Sequence, residues 1–401
     1  MNITLLGNYP NDENQSMTRY AQMVKNLLVQ SGCDVQMIRP DPYFGRLKPS
    51  GEGVGKWLGY IDKFIIFPVV LRKHLWERKK EIEARIRNNA AVKGGFLVHI
   101  CDHSNAMYTR WLRWVPHLVT CHDVLAIQSA RGLIPGRKTG WTGRLLQRWI
   151  LSGLKRAVQV VCVSEETRND LLSLAPELQS HSLTIENPLP YLFSPVPSDE
   201  AIRELAGLGL EAALPPTGRF FFHVGGNQWY KNREAVIRIY VHFCAAFPEL
   251  AEGRSLKLVM AGKPPTDGMC RLVEEEKLAG KVIFVTAVTD RQLGALYSLA
   301  EALVFPSLQE GFGWPIIEAQ ACGCPVVTSE RIPMSRLAGP EALLANPEVA
   351  SDFANKLAEL LSESPELRHR RKTEVLRYSS KYDPQLFLKQ LLAAYKIVLK
   401  K

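Results

Sequence analysis

No run in this chain is long and apolar enough to cross a bilayer. Phe64-Ile-Ile-Phe-Pro-Val-Val-Leu71 is short and broken by Pro68. The start, Met1-Asn-Ile-Thr-Leu-Leu-Gly7, lacks the basic opening of a secretory leader and enters a strand directly. Both absences make the cytoplasm the expected location. The eight cysteines do not form a disulfide framework. Cys101, Cys121 and Cys162 lie in or beside apolar strand-like runs, where a free thiol behaves as a small hydrophobe. Cys322-Gly-Cys324 has one intervening residue and no second pair follows, so no metal is expected. A G-x-G-x-x-G turn after the first strand is missing too. The place reads Gly7-Asn8-Tyr9, which argues against an NAD-dependent oxidoreductase. There is no low-complexity segment.

What is present is a globular composition, 46% hydrophobic and 22% charged, over 401 residues. That length exceeds one ordinary core, so two domains are expected. The net charge of +10 is uneven. Up to Pro188 there are 25 basic residues against 16 acidic ones, or +9, which leaves +1 for the remainder. A basic first half suits an acidic surface or a phosphate-bearing ligand, and equally a solvated face with no partner.

Asn2-Ile-Thr-Leu-Leu6 reads as a strand and is followed by a polar loop. Met17, Tyr20, Ala21, Val24, Leu27 and Leu28 then recur at helical spacing, and Cys33 to Ile38 is a second strand. The chain therefore opens as a Rossmann-like βαβ unit. Phe96-Leu-Val-His-Ile100 and Leu118-Val-Thr-Cys121 are further strands. His103, Asn105 and His122 follow them, at the strand ends where open parallel sheets bind ligands. Prolines cluster after Asn187, the expected linker. The expected domains are residues 1–187 and 188–379. A last helix, from about 380 to 401 and starting near Tyr378, should pack back on the first domain. Trp141, Leu145, Trp149 and Ile150 are spaced to share one helical face among basic residues. That pattern fits a membrane-surface helix or a core-facing helix with a basic solvent side.

The most informative stretch runs from Phe305 to Ser329. An apolar strand, Ala302-Leu-Val-Phe305, leads into a Gly-bearing loop. Pro315 stands where a helix would begin, Gly323 and Pro325 stop that helix, and Val326-Val327 opens a strand. Two carboxylates stand here, Glu310 in the loop and Glu318 in the expected first helical turn. Loop glycines admit a ligand close to the backbone, and a helix N-terminus favours phosphate. On spacing alone, Glu318 as a dipole partner and Glu310 as a solvated charge fit equally well.

Glu310-Gly-Phe-Gly-Trp-Pro-Ile-Ile-Glu318-Ala-Gln-Ala-Cys-Gly-Cys-Pro-Val326 resembles the E-x7-E signature of the retaining glycosyltransferases of family 4. The resemblance implies an α/β GT-B fold, two Rossmann-like domains facing each other across a cleft. It implies that Glu310 meets the donor sugar beside Gly311, Phe312 and Gly313. Glu318 would hold the ribose, with Ile317 next to it. Leu118 to Val124 is similar to the family's V-T-x-H-D segment, whose His, here His122, reaches the sugar and reaction centre. Lys231 matches the diphosphate-binding Lys, but Tyr230 stands where an Arg is usual. Backbone near Val288 would meet the nucleobase. The first loop, Gln15 to Tyr20, lacks the usual Gly-Gly. The implied activity is retaining transfer of a hexose from a nucleotide-diphosphate sugar to a glycan or lipid-linked acceptor, in surface polysaccharide biosynthesis. The sugar nucleotide is a co-substrate, and no cofactor is expected. Attachment at the inner face of an anionic membrane is expected, and nucleic acid is not a partner. The alternative is a non-catalytic GT-B scaffold or sugar-nucleotide-binding protein.

Overall fold

The computed structural model describes residues 1–12, 15–47, 54–87, 95–214, 216 and 218–400. Residues 13 and 14 of the expected first loop, one proline of the linker cluster (Pro215) and Lys401 lie outside them. The chain divides into two compact units, Met1–Pro190 with Pro384–Lys401, and Tyr191–Asp383.

The first unit is built on six strands. They are β1 (Asn2–Leu6), β2 (Asp34–Ile38), β3 (Phe96–Ile100), β4 (His117–Cys121), β5 (Gln159–Cys162) and β6 (Ser182–Thr184). Their order is β2-β1-β3-β4-β5-β6 and every pairing is parallel. Every residue of β1 and β4 is buried, as a sheet covered on both faces requires. Helix α1 (Gln15–Gln30) buries Tyr20, Met23, Val24, Leu27 and Leu28, an apolar stripe at three- and four-residue spacing.

Residues 54–87 form helix α2 (Val54–Ile61), a single π turn (Asp62–Ile66) and helix α3 (Phe67–Arg87). Pro68 explains the π turn. It lacks the N–H for a bond to the carbonyl four residues back, and a π turn absorbs the mismatch. Asp62 in that turn is buried but satisfied. It accepts from the Tyr9 hydroxyl at 2.9 Å and from the Phe44 and Gly45 amides at 3.0 and 2.9 Å.

After α4 (Leu125–Ala130) comes α5 (Trp141–Leu154), and the shared face expected of its apolar residues is split. Ile150 is buried and Trp149 packs on the Phe64 and Trp111 rings, whereas Trp141 and Leu145 face solvent. At 100° per residue Trp141 and Ile150 stand about 180° apart, too wide for one seam. The last helix also differs from expectation. Tyr378 belongs to the helix Pro365–Ser379, and the final helix begins at Pro384. The ring of Pro384 keeps Asp383 extended and separates the two. The Pro384–Lys400 helix packs into the first unit. Its Tyr395 hydroxyl bonds His99 Nδ1 at 2.8 Å, and His99 Nε2 bonds Thr120 Oγ1 at 2.8 Å. Thr120 in turn meets the Tyr20 hydroxyl at 3.1 Å.

The second unit has β7 (Arg219–Gly225), β8 (Leu256–Gly262), β9 (Val282–Thr286), β10 (Ala302–Phe305), β11 (Val326–Ser329) and β12 (Leu343–Ala345). The order is β12-β11-β10-β7-β8-β9, again all parallel. Its core joins Phe221, Leu258 and Val304 to Ile237, Tyr240 and Phe243 of one helix and Phe353 and Leu357 of another. At the ends of β7 and β8 the backbones nearly touch. A Cβ on Gly262 (φ +123°) would stand 2.2 Å from the Gly225 carbonyl, so only glycine fits there.

Candidate functional site

In the second sheet the strand order reverses between β7 and β10. Open parallel sheets bind ligands at such a point, beyond the carboxyl ends of the strands. Lys231 follows β7 and Glu310 follows β10, and the structure brings them together. Lys231 Nζ donates to both Glu310 oxygens, at 2.7 and 2.9 Å. Ser307 Oγ donates to the same carboxylate at 2.8 Å. The side chains are 18% and 7% exposed, so the pair is shielded but reachable.

Local structure holds the two loops in register. Asn232 adopts a left-handed conformation (φ +55°) that ends the short turn carrying Lys231. Its side-chain amide donates to the Pro306 carbonyl at 3.0 Å and to the Pro347 carbonyl at 2.9 Å. The Leu308 amide donates to the Tyr230 carbonyl at 2.7 Å. Sequence reasoning assigned diphosphate to Lys231 and sugar to Glu310. The structure adds that an anion reaching Lys231 must compete with Glu310.

Glycine is required at Gly313, which has φ +118° and caps the helix Trp314–Ala321. That helix starts one residue before Pro315, which moves Glu318 out of the first turn and weakens any role for it as dipole partner. Glu318 is 2% exposed and accepts from the Tyr297 hydroxyl at 2.9 Å. Ile317 is fully buried in the core, and the buried Phe312 ring packs edge-on against Tyr382. Gly311 is half-buried, as is Val288 in the loop between β9 and the helix Asp290–Leu299.

Two groups near Lys231 escaped sequence reasoning. His223 sits inside β7 and is fully buried. Its Nδ1 donates to the Val304 carbonyl at 2.9 Å, and Nε2 has no partner among the described residues. Burial pushes its imidazole down to about 3. Arg233 is also buried. It binds the Asn227 side chain and the Lys263 carbonyl, while Nε and Nη2 find no partner among the described residues. Burial lowers its pKa. This guanidinium braces the loops after β7 and β8. Its signal in the sequence was the segment Tyr230-Lys-Asn-Arg233, where Tyr replaces the expected Arg and another Arg appears three residues on.

In the first unit, His103, Asn105 and His122 gather around the order reversal between β1 and β3. Asn105 is buried and donates to the Asn8 side chain at 3.0 Å. His103 Nδ1 accepts from the His122 amide at 3.4 Å. His122 is buried with its Nε2–H on the Cys101 carbonyl at 2.8 Å and the Tyr20 ring edge-on at 4.6 Å. Burial lowers its pKa, which favours the neutral ring, and with Nε2 carrying the hydrogen Nδ1 is the acceptor nitrogen.

Residues 211–375 match the family Glycosyl transferases group 1, and residues 17–183 match Glycosyltransferase Family 4. The chain belongs to these glycosyltransferases. It is 25% identical over 305 residues to the serotype-specific mannosyltransferase WbdA of Escherichia coli, covering 69% of this chain and 35% of that protein. The glycosyltransferase thus spans about a third of the length of the first curated relatives it matches. Among solved structures, the sucrose-phosphate synthase of Thermosynechococcus elongatus superposes with a TM-score of 0.69 at 21% identity, over 99% of this chain and 98% of that one. Anabaena HepE, solved with UDP and glucose, gives 0.69 at 15%, over 98% and 99%. At these identities the likeness is one of fold, GT-B with two Rossmann-like domains.

Proposed function

We propose that this glycosyltransferase moves a hexose, with retention, from a nucleotide-diphosphate sugar to a hydroxyl of a glycan or lipid-linked acceptor in surface polysaccharide biosynthesis. The observation that carries the reading is the Lys231–Glu310 pair at the order reversal of the second sheet, beside the backbone of residues 311–313. The donor's diphosphate takes Lys231 from Glu310, and the released carboxylate accepts hydroxyls of the sugar. Lys231 and the backbone amides then stabilise the leaving diphosphate, so catalysis is positioning plus electrostatics, with no cofactor. His122 supplies a neutral acceptor through Nδ1, suited to a sugar hydroxyl. No carboxylate in the site is assigned as a covalent nucleophile, so the retention proposed is same-face attack without a glycosyl-enzyme. A mannosyltransferase among the relatives and UDP with glucose in a fold neighbour support the substrate class. We place the enzyme in the cytoplasm, at the face of the membrane that presents the acceptor; among the described residues no helix is long and apolar enough to cross it.

A screen of sugar nucleotides for released nucleoside diphosphate tests the activity. Lys231 held by Glu310, with Tyr230 in place of a second cation, favours one other reading, a scaffold that binds without turnover. Binding in calorimetry with no release from any donor would establish that reading instead. For the binding step, Lys231→Ala is expected to weaken nucleoside diphosphate by about 1.5–3 kcal/mol, the worth of a charged hydrogen bond. Unchanged affinity would place the diphosphate elsewhere. Glu318→Ala is expected to weaken the free nucleotide, because Glu318 is assigned the ribose. It should also cost about 1–3 kcal/mol of stability by leaving the buried Tyr297 hydroxyl without this acceptor. Full nucleotide affinity in a destabilised Glu318→Ala protein would make Glu318 purely structural.

A further inference from the structure

We propose that the outer face of α3 is the surface by which this protein docks on an anionic bilayer. The inner side of α3 buries Phe67, Leu71, Leu75, Arg78 and Ile82. The opposite side carries Val69, Lys73, Trp76 and Lys80 at spacings of four, three and four residues, one stripe along the helix. Val69 is 69% exposed and Trp76 54%, large values for apolar side chains. A groove of 310 Å³ opens beside the stripe, lined by Arg72, Lys73, Trp76 and Trp114. Lys80 lies 3.4 Å over the Trp76 ring and Lys79 5.6 Å over the Trp114 ring. Glu77 and Glu83 pair at long range with Lys73 and Lys79, at 4.0 and 3.9 Å, and no ion pair of Arg72 or Lys80 is seen among the described residues. The face is therefore positive as well as apolar. Val70, next to Val69, is exposed, as is Ile65 one turn earlier, and the Trp57, Tyr60 and Phe64 rings form a ladder at 5.7 and 5.3 Å that reaches Trp149 of α5.

The chemistry selects the occupant. Exposed Val, Ile and Trp enter the boundary between headgroups and acyl chains, while Lys and Arg meet lipid phosphates. A soluble anion would satisfy the cations and leave the aliphatic side chains in water. The inference rests on the proposed membrane-presented acceptor for its purpose, and it differs from a contact through Trp141, Arg144 and Arg148, the exposed side of α5.

Flotation of the full chain with phosphatidylcholine vesicles, with and without phosphatidylglycerol, tests it. The protein is expected to float with the anionic vesicles and not with the neutral ones. Each cation removed should lower partitioning about fivefold, the equivalent of about 1 kcal/mol near a charged surface, so Lys73→Gln with Lys80→Gln lowers it about 25-fold. Val69→Ser with Trp76→Ser should also release the protein. These side chains face solvent, so folding is spared, and retained nucleoside diphosphate binding verifies it. No flotation, equal flotation with both vesicles, or loss only with Arg144→Glu and Arg148→Glu overturns the proposal. Vesicle binding without nucleoside diphosphate release from any donor refutes the transferase reading alone, and release without vesicle binding refutes the docking face alone. Binding to an immobilised acidic protein but not to vesicles also overturns it.

Discussion

Glu310→Gln is expected to reduce turnover by about 10²–10³-fold while nucleoside diphosphate affinity is kept or increased. Glycosyl transfer develops positive charge on the sugar ring, and a carboxylate there is worth about as much as one preorganised electrostatic group elsewhere, 2.7–4 kcal/mol. The affinity part follows from the ion pair. In the protein as it stands, Lys231 spends its ammonium on both Glu310 oxygens. A neutral amide at 310 binds that ammonium less strongly, so diphosphate meets less competition. Steady-state kinetics with calorimetry on one preparation checks both parts. If Glu310→Gln lost as much nucleotide affinity as Lys231→Ala, Glu310 would be a nucleotide ligand and the division of roles would be wrong. If turnover stayed within a few-fold, the carboxylate would serve only to position Lys231.

Acid should unfold the protein above the range where carboxylates titrate. His99 in the first unit and His223 in the second are fully buried, and burial holds each imidazole near 3. In the unfolded chain each titrates at about 6.5. Below that value the unfolded state binds a proton that the native state refuses, so stability falls as pH falls. The loss starts near pH 6.5, continues toward 3, and amounts to about 1.4 kcal/mol per pH unit for each histidine once the unfolded form is fully protonated. Above 6.5 neither contributes a pH dependence. His117 and His122, lowered by burial as well, act in the same sense. Denaturant midpoints measured from pH 7.5 to 4.5 should drop across this window. His223→Asn should remove about 1.4 kcal/mol per pH unit from the slope of the second unit, whatever it does to stability at pH 7.5. A flat profile from 6.5 to 5 would contradict buried, neutral histidines.

The sequence showed what depends on neighbours in the chain. Strand-length apolar runs alternating with helical spacing specify parallel sheets covered on both faces, and two such sheets are present. The strand, glycine loop and proline-opened helix around Glu310 were legible because each step is a local backbone preference. Helix ends were less legible. Tyr378 continues the apolar spacing past a break that Pro384 imposes, and Trp314 takes the first helical position only because Gly313 can adopt a left-handed cap.

By itself, then, the sequence determined the two αβ halves, the loops that carry Lys231, Glu310 and His122, and the basic character of the first half. Only the tertiary structure decided that Lys231 and Glu310, 79 residues apart, share one ion pair, that Asn232 locks their loops together, and that Glu318 is turned inward to Tyr297. It also decided which side of α3 is left bare. The physical reason is the same in each case. A side chain's partner is set by which strands lie side by side, and that order is the outcome of packing whole sheets and helices, which no window along the chain contains.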